Sequence, residues 1–218
     1  MAKGVELKLS ESLYNELTDW CLQKQPELRL EFSVPVLGEG GTCSLFGELD
    51  PVPFNLSQTL SQAQLALLPM LQNVTDWVLH NTNVDWFGIY LKRTNNEGDT
   101  VLTKMSYFGV PSRAEFPLSE EFSTLSNNSY VGLYGEKRTI NNVEQYRQAG
   151  GEYYTCDPKV KSELCWPIIS NKNNTSSDPQ EEILGIIDAE CFENDRFDEK
   201  AQAIFEAACQ FLSENLTH

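Results

Sequence analysis

Two short runs near the C-terminus decide the fold: KSELCWPIIS at residues 161–170 and EEILGIIDAEC at residues 181–191. Each is rich in Ile, Leu or Trp and has the length of a buried strand. Between them lies NKNNTSSDPQ (171–180), a cluster of turn formers, so the two strands are expected to be neighbours. Successive side chains of a strand point to opposite faces. Glu163 and Cys165 therefore share one face of the first strand, with Leu164 and Trp166 on the other. In the second, Asp188 and Glu190 share a face, opposite Ile187, Ala189 and Cys191. Acids within otherwise apolar strands are costly to bury unpaired. Three of them on paired strands suggest a site that receives a cation such as an ammonium group. The competing reading is a solvated sheet face, or carboxylates answered by an internal Lys or Arg.

Working outward, VDWFGIYLKR (84–93) and DTVLTKMSYFG (99–109) are two further strands joined by TNNEG, a hairpin signal. Trp86, Gly88 and Tyr90 alternate together there. Two aromatics around a glycine offer an apolar wall with room beside it, although strand aromatics are equally at home in a plain core. Upstream, residues 57–82 place Leu60, Leu65, Leu68, Leu71, Val74 and Leu79 at mostly helical spacing. Pro69 predicts a kink or a division of that helix, because it lacks a donor and crowds the preceding turn. Residues 111–129 are polar and ambiguous, and YVGLYGEKRTIN (130–141) predicts a short helix and a strand. DRFDEKAQAIFEAACQFLSEN (195–215) closes the chain as a helix capped by Asp195 or Asp198, with Ala201, Ile204, Phe205, Ala208 and Leu212 on one face. This order gives an α+β fold: an antiparallel sheet, helices on one face, and a ligand pocket on the other under the variable middle.

The division expected is an N-terminal extension at residues 1–56 and a main domain at 57–218. In the extension, residues 10–24 read as an amphipathic helix capped by Ser10 or Ser12, LRLEFSVPV (28–36) as a strand, and 37–55 as a Gly- and Pro-rich loop. Such a block is too small to fold alone and is expected to pack on the main domain.

With 16 basic and 32 acidic residues, the formal net charge is −16. That surface repels phosphate backbones, and no Lys/Arg cluster offsets it, so neither nucleic acid nor an anionic membrane is an expected partner. No run approaches the roughly 18 apolar residues of a membrane span, and the start lacks the apolar stretch of a signal peptide. The expected location is cytoplasmic (cytosol or nucleus), where thiols stay reduced. The six cysteines are scattered, with no CxxC pair and only two histidines, which argues against both a disulfide framework and a metal site.

Cys156 lies in GGEYYTCDPK (150–159), a loop beside the predicted sheet. A reactive thiol needs access and a thiolate, and loops supply the access. Asp157 opposes the thiolate electrostatically and Lys159 and Lys161 offset it, so an inert loop cysteine and a nucleophile are both open on these grounds.

Three stretches taken together, DWFGIYL (85–91), TCDPKVKSELCWPI (155–168) and EEILGIIDAECFENDRFDE (181–199), resemble the GAF-domain enzymes that reduce free methionine-(R)-sulfoxide. The similarity spans roughly residues 57–216. Trp86, Gly88 and Tyr90 meet the family's first motif. Cys156, Asp157, Ser162 and Glu163 meet the second, with Thr155 in place of Ala. Gly185, Asp188 and Glu190 meet the third, with Ala189 in place of a larger aliphatic. The resemblance implies that Cys156 attacks the sulfoxide sulfur and becomes a sulfenic acid. It implies that Glu163, Asp188 and Glu190 hold the amino group or assist protonation of the sulfoxide oxygen, and that Trp86, Tyr90 and Ser162 belong to the substrate site. It further implies a thioredoxin-type reductant and no metal or organic cofactor. A homodimer through terminal helices is common among GAF domains.

The family's further cysteines in the segment over the pocket are missing, since GVPSRAEFPLS (109–119) and NSYVGLYG (128–135) contain none. Cys165, on the face of Glu163, is then the candidate partner for Cys156, with thioredoxin or glutathione acting directly as another route. The alternative is a non-catalytic GAF module that binds a small amino-acid-like ligand in a regulatory or signalling role. Cyclic nucleotides suit the site poorly, because an acidic pocket repels phosphate.

Overall fold

The computed structural model describes residues 2–38, 47–153, 157–170 and 182–216, with side chains described from Leu9 onward. The two runs that open the sequence reading are strands β7 (Ser162–Ile169) and β8 (Ile183–Cys191), paired antiparallel with Glu163 opposite Glu190 and Cys165 opposite Asp188. The turn-forming residues between them lie outside the described residues. The predicted hairpin is β3 (Trp86–Thr94) and β4 (Thr100–Phe108). Its turn is held by the Asn95 side chain, which accepts from the N–H groups of Glu97 and Asp99. Short strands β5 (Glu115–Pro117) and β6 (Arg138–Ile140) complete a six-stranded antiparallel sheet in the order β5-β4-β3-β8-β7-β6. Pairing of Gly88 with Asp188 and of Trp86 with Glu190 puts the aromatic strip and all three acids on one face.

Two motif glycines have steric reasons. A Cβ on Gly88 would stand 2.4 Å from the Trp86 ring, which folds across that position and fills the room the alternation suggested. A Cβ on Gly185 would stand 2.1 Å from the backbone oxygen of Tyr90, in the centre of the sheet, where nothing can yield. Gly185→Ala is expected to destabilise the fold by roughly 1–3 kcal/mol, the usual scale of overpacking. Chemical denaturation would read this, and an unchanged midpoint would contradict the close approach.

On the opposite face, Phe87, Ile89, Leu164, Ile187 and Ala189 are fully buried beneath helices α4 (Leu68–Asn81) and α8 (Glu199–Asn215). Asp198 caps α8, and Asp195 instead adopts a left-handed turn with φ 58°. Helix α1 (Ala2–Gln23) packs against both α4 and α8, burying Leu17, and Glu16 accepts a hydrogen bond from Trp77 at 3.0 Å. The helix therefore starts well before residue 10, and neither Ser10 nor Ser12 caps it. No described helix is long and apolar enough to cross a membrane.

Pro69 divides the predicted 57–82 helix, as expected. Helices α2 (Leu56–Thr59) and α3 (Gln62–Leu65) precede α4, and Pro69 sits in the first turn of α4, where its missing donor costs nothing. Leu79 departs from the expected stripe. The buried face runs through Leu71, Val74, Trp77 and Val78, which leaves Leu79 exposed.

Residues 28–36 do not join the main sheet. Strand β1 is only Glu31–Phe32, paired with β2 (Phe54–Asn55) from the segment read as a loop, and a bridge joins Pro35 to Leu49. The variable middle covers the acidic face with α5 (Glu120–Ser123) and α6 (Asn127–Tyr134), the latter packed over β7 and β8 and ended by Gly135 at φ 73°. Helix α7 (Val143–Gln148) follows β6.

Candidate functional site

Between the sheet and its polar cover lies a cavity of about 380 Å³. Glu163, Asp188 and Glu190 line it from β7 and β8, Trp86 and Tyr90 from β3, and Phe116 from β5. The aromatic side is fixed rather than adaptable. Trp86 donates its indole N–H to Val110 O at 3.1 Å, Tyr90 donates its hydroxyl to Arg113 O at 3.2 Å, and Trp86 also stacks on Tyr107 at 6.3 Å.

Glu163 and Asp188 are only 5% and 4% exposed. Glu163 faces Glu190 across the strands and has Asp188 as its diagonal neighbour, and like charges so placed oppose pairing, so their burial requires specific support. Helix α6 provides it. Ser126 caps the helix, and the next two residues are asparagines whose side chains turn down onto the sheet. Asn127 donates to Glu163 at 2.9 Å and Asn128 to Asp188 at 2.8 Å. Arg138 donates to Asn127 at 2.7 Å while its guanidinium lies 3.5 Å over the Tyr130 ring, so the cation steadies the amide and acts on Glu163 through space without a direct ion pair. The Tyr153 hydroxyl hydrogen-bonds Glu163, and burial together with the surrounding acids raises its pKa well above the phenol range.

This support is incomplete. Among the described residues, the Oδ1 atom of Asp188 is buried and no donor meets it in hydrogen-bond geometry, the backbone N–H of Ala189 alone assisting the carboxylate electrostatically, and neither Glu163 nor Asp188 has an ion-pair partner. Burial, reinforced by Glu163, raises the Asp188 carboxyl well above its usual range; burial also raises Glu163, against the pull of Tyr153, Asn127 and Arg138. The pair therefore favours holding a proton, and it can act as a donor as well as an acceptor.

The structure thus brings together five of the residues singled out from the sequence: Trp86, Tyr90, Glu163, Asp188 and Glu190. Cys156 lies outside the described residues, but Asp157, Pro158 and Lys159, which follow it directly, line the cavity. Ser162 does not line it. Alternation turns the side chain away from that of Glu163, and its hydroxyl donates to Glu193 O at 2.8 Å. Cys165 is fully buried, outside the cavity lining, and burial with Asp188 and Glu163 raises its thiol pKa well above the usual range. Asn127, Asn128, Arg138 and Tyr153 were not anticipated. The available signal was the Ser-Asn-Asn run at 126–128, a helix cap followed by two short amides.

The GAF domain family model matches residues 66–216. Comparison with curated proteins returns no match. Among solved structures, a protein from Burkholderia vietnamiensis described as a GAF sensor is similar over 96% of this chain and 94% of its own, at 15% identity and TM-score 0.57. The free methionine-R-sulfoxide reductase of Neisseria meningitidis is similar over 67% of this chain and 75% of its own, at 18% identity and TM-score 0.52. The type II enzyme of Thermoplasma acidophilum is similar over 69% and 92%, at 16% identity and TM-score 0.53. Likeness at these identities speaks for the fold.

Proposed function

The chain belongs to the GAF family, and we propose that it is a thiol-dependent reductase of free methionine-(R)-sulfoxide. The observation that carries the reading is the unpartnered buried Oδ1 of Asp188 in a cavity that also holds Glu163 and Glu190. A buried acceptor of this kind calls for a donor, and an ammonium group supplies both hydrogen bonds and the missing charge. In this reading Asp188 and Glu190 receive the substrate ammonium, while Trp86 and Tyr90 pack on its methyl group. Glu163, protonated, donates to the sulfoxide oxygen.

Cys156 supplies the nucleophile. Its sulfur attacks the sulfoxide sulfur and, as the S–O bond breaks, the oxygen passes to cysteine. The products are the free thioether and a cysteine sulfenic acid, the substrate sulfur reduced by two electrons and Cys156 oxidised by two. Two external thiols, such as a thioredoxin-type dithiol, then return Cys156 to the thiol with release of water and one disulfide. The test is the full chain incubated with dithiothreitol and the separate R and S epimers of the free amino-acid sulfoxide. The R epimer is expected to be consumed and the S epimer spared, and consumption of neither overturns the reading.

One observation favours a second reading, in which the domain binds an amino-acid-like ligand without turnover. No cysteine occurs from residue 109 to residue 155, and Cys165 is sealed in the core. Equal stabilisation by unoxidised methionine, persisting in Cys156→Ser without any turnover in the native chain, would establish that reading instead.

A further inference from the structure

The cavity is not built from the family-matched residues alone. Pro35, Gly47 and Leu49 also line it, and all three precede residue 66. They belong to an arm in which Val36 N–H donates to Glu48 O and Asp50 N–H to Val34 O, each at 2.9 Å, around the Pro35–Leu49 bridge.

The arm is anchored on β4. Phe32 is buried, with its ring 5.4 Å from Phe54 and edge-on to Tyr107 at 5.3 Å. The buried Lys104 ammonium stands 4.6 Å from the Phe32 ring and 4.1 Å from the Tyr107 ring, and donates to Ser112 Oγ at 2.7 Å. Tyr107 then stacks on Trp86, so a continuous row of rings joins the arm to the aromatic wall of the site.

Position in the sheet gives the cavity a direction. The acids stand on β8 and β7, whereas the arm is fixed to β4, with the aromatic strip of β3 between them. At about 4.8 Å between strands, β4 is roughly 10 Å from β8. A ligand whose ammonium lies on the acids must run its apolar part across Trp86 toward the arm.

We propose that Pro35 and Leu49 form the end wall of this channel and set the length of the side chain that a bound amine can carry. The inference rests on the amine-binding part of the reading above, not on its chemistry. Its ligand class is a free ammonium compound with an unbranched apolar or thioether tail. Leu49 is 47% exposed, so its substitution changes the wall with little loss of core.

Calorimetric titration of the full chain tests this with two probe series. One is the n-alkylammonium ions from propyl to hexyl, and the other is the S-methyl, S-ethyl and S-propyl homocysteines. Native protein is expected to show a length beyond which affinity falls at least tenfold. Leu49→Ala is expected to move that limit at least one methylene longer, and Leu49→Trp to move it shorter, in variants whose melting curves remain cooperative. The same limit in all three proteins overturns the wall, even if R-sulfoxide is turned over. Shifted limits without sulfoxide turnover uphold the wall and overturn the reductase. Failure of every probe to bind overturns the wall together with the amine site on which it rests.

Discussion

Asp188→Asn is expected to melt at a higher temperature than the native protein near neutral pH, while binding amine ligands roughly 10- to 100-fold more weakly. Both effects follow from one carboxyl group. Burial and the neighbouring Glu163 raise its pKa in the folded state. Between the ordinary carboxylate range and that raised value, the folded protein keeps a proton that the unfolded chain has released. The contribution of Asp188 to stability is thus fully present below the unfolded-state pKa and is lost as pH rises through the folded-state pKa. The amide does not titrate, and its oxygen can still accept from Asn128, which contacts Asp188 at 2.8 Å. Melting curves across mildly acidic to mildly alkaline pH should therefore show a shallower decline for the variant. The binding loss reflects one charge-assisted hydrogen bond, about 1.5–3 kcal/mol. A variant that melts below the native protein throughout, with the same pH slope, would show that Asp188 is already satisfied without a ligand.

The trade between stability and binding marks where the sequence could be read and where it could not. Alternation alone grouped Asp188 with Glu190 and Trp86 with Tyr90, and set Glu163 opposite Leu164 and Trp166, because strand period is fixed by backbone geometry; the register of β3, β8 and β7 then brings these groups onto one face. Alternation equally turned Ser162 away from that face, although the motif in which it stands suggested a place in the site. What covers a face is decided by chain far away in sequence, and no local period encodes it. Asn127 and Asn128 lie in a segment with no apolar pattern, and their role appears only when α6 is laid over β7 and β8. The arm is a similar case. Residues 28–36 have a strand pattern, but Pro35 and the short reach of β1 pair them with residues 48–55, and so deliver Pro35 and Leu49 to a cavity the main domain was expected to complete by itself.

Cys156→Ser is expected to abolish sulfoxide turnover, a loss of roughly 10⁴-fold or more as for other covalent nucleophiles, while leaving ligand-induced stabilisation in place. In the proposed reading the carboxylates and aromatics receive the ligand independently of the thiol, so binding and chemistry separate at this residue. Retained turnover in the variant would remove Cys156 from the mechanism. The native protein poses a second question, because a sulfenic acid needs a thiol to resolve it. Burial raises the thiols of Cys21 and Cys191 to about 11 and that of Cys209 to about 12, and raises Cys165 as well. Each of these four is therefore held as a thiol rather than the attacking thiolate. Cys165 is in addition fully buried, between its partners Arg138 and Asp188 in the sheet. Among the described residues no thiol is thus set to resolve Cys156, while Cys43 lies outside them. Protein given R-sulfoxide without reductant is expected to stop after one turnover with a single added oxygen on Cys156, detected by mass spectrometry and captured by dimedone, and a Cys43–Cys156 disulfide would instead make Cys43 the resolving thiol. A Cys156–Cys165 disulfide in that experiment, formed with loss of water, would mean instead that β7 opens during the reaction. The stalled sulfenic acid would place the second half of the cycle with an external thiol.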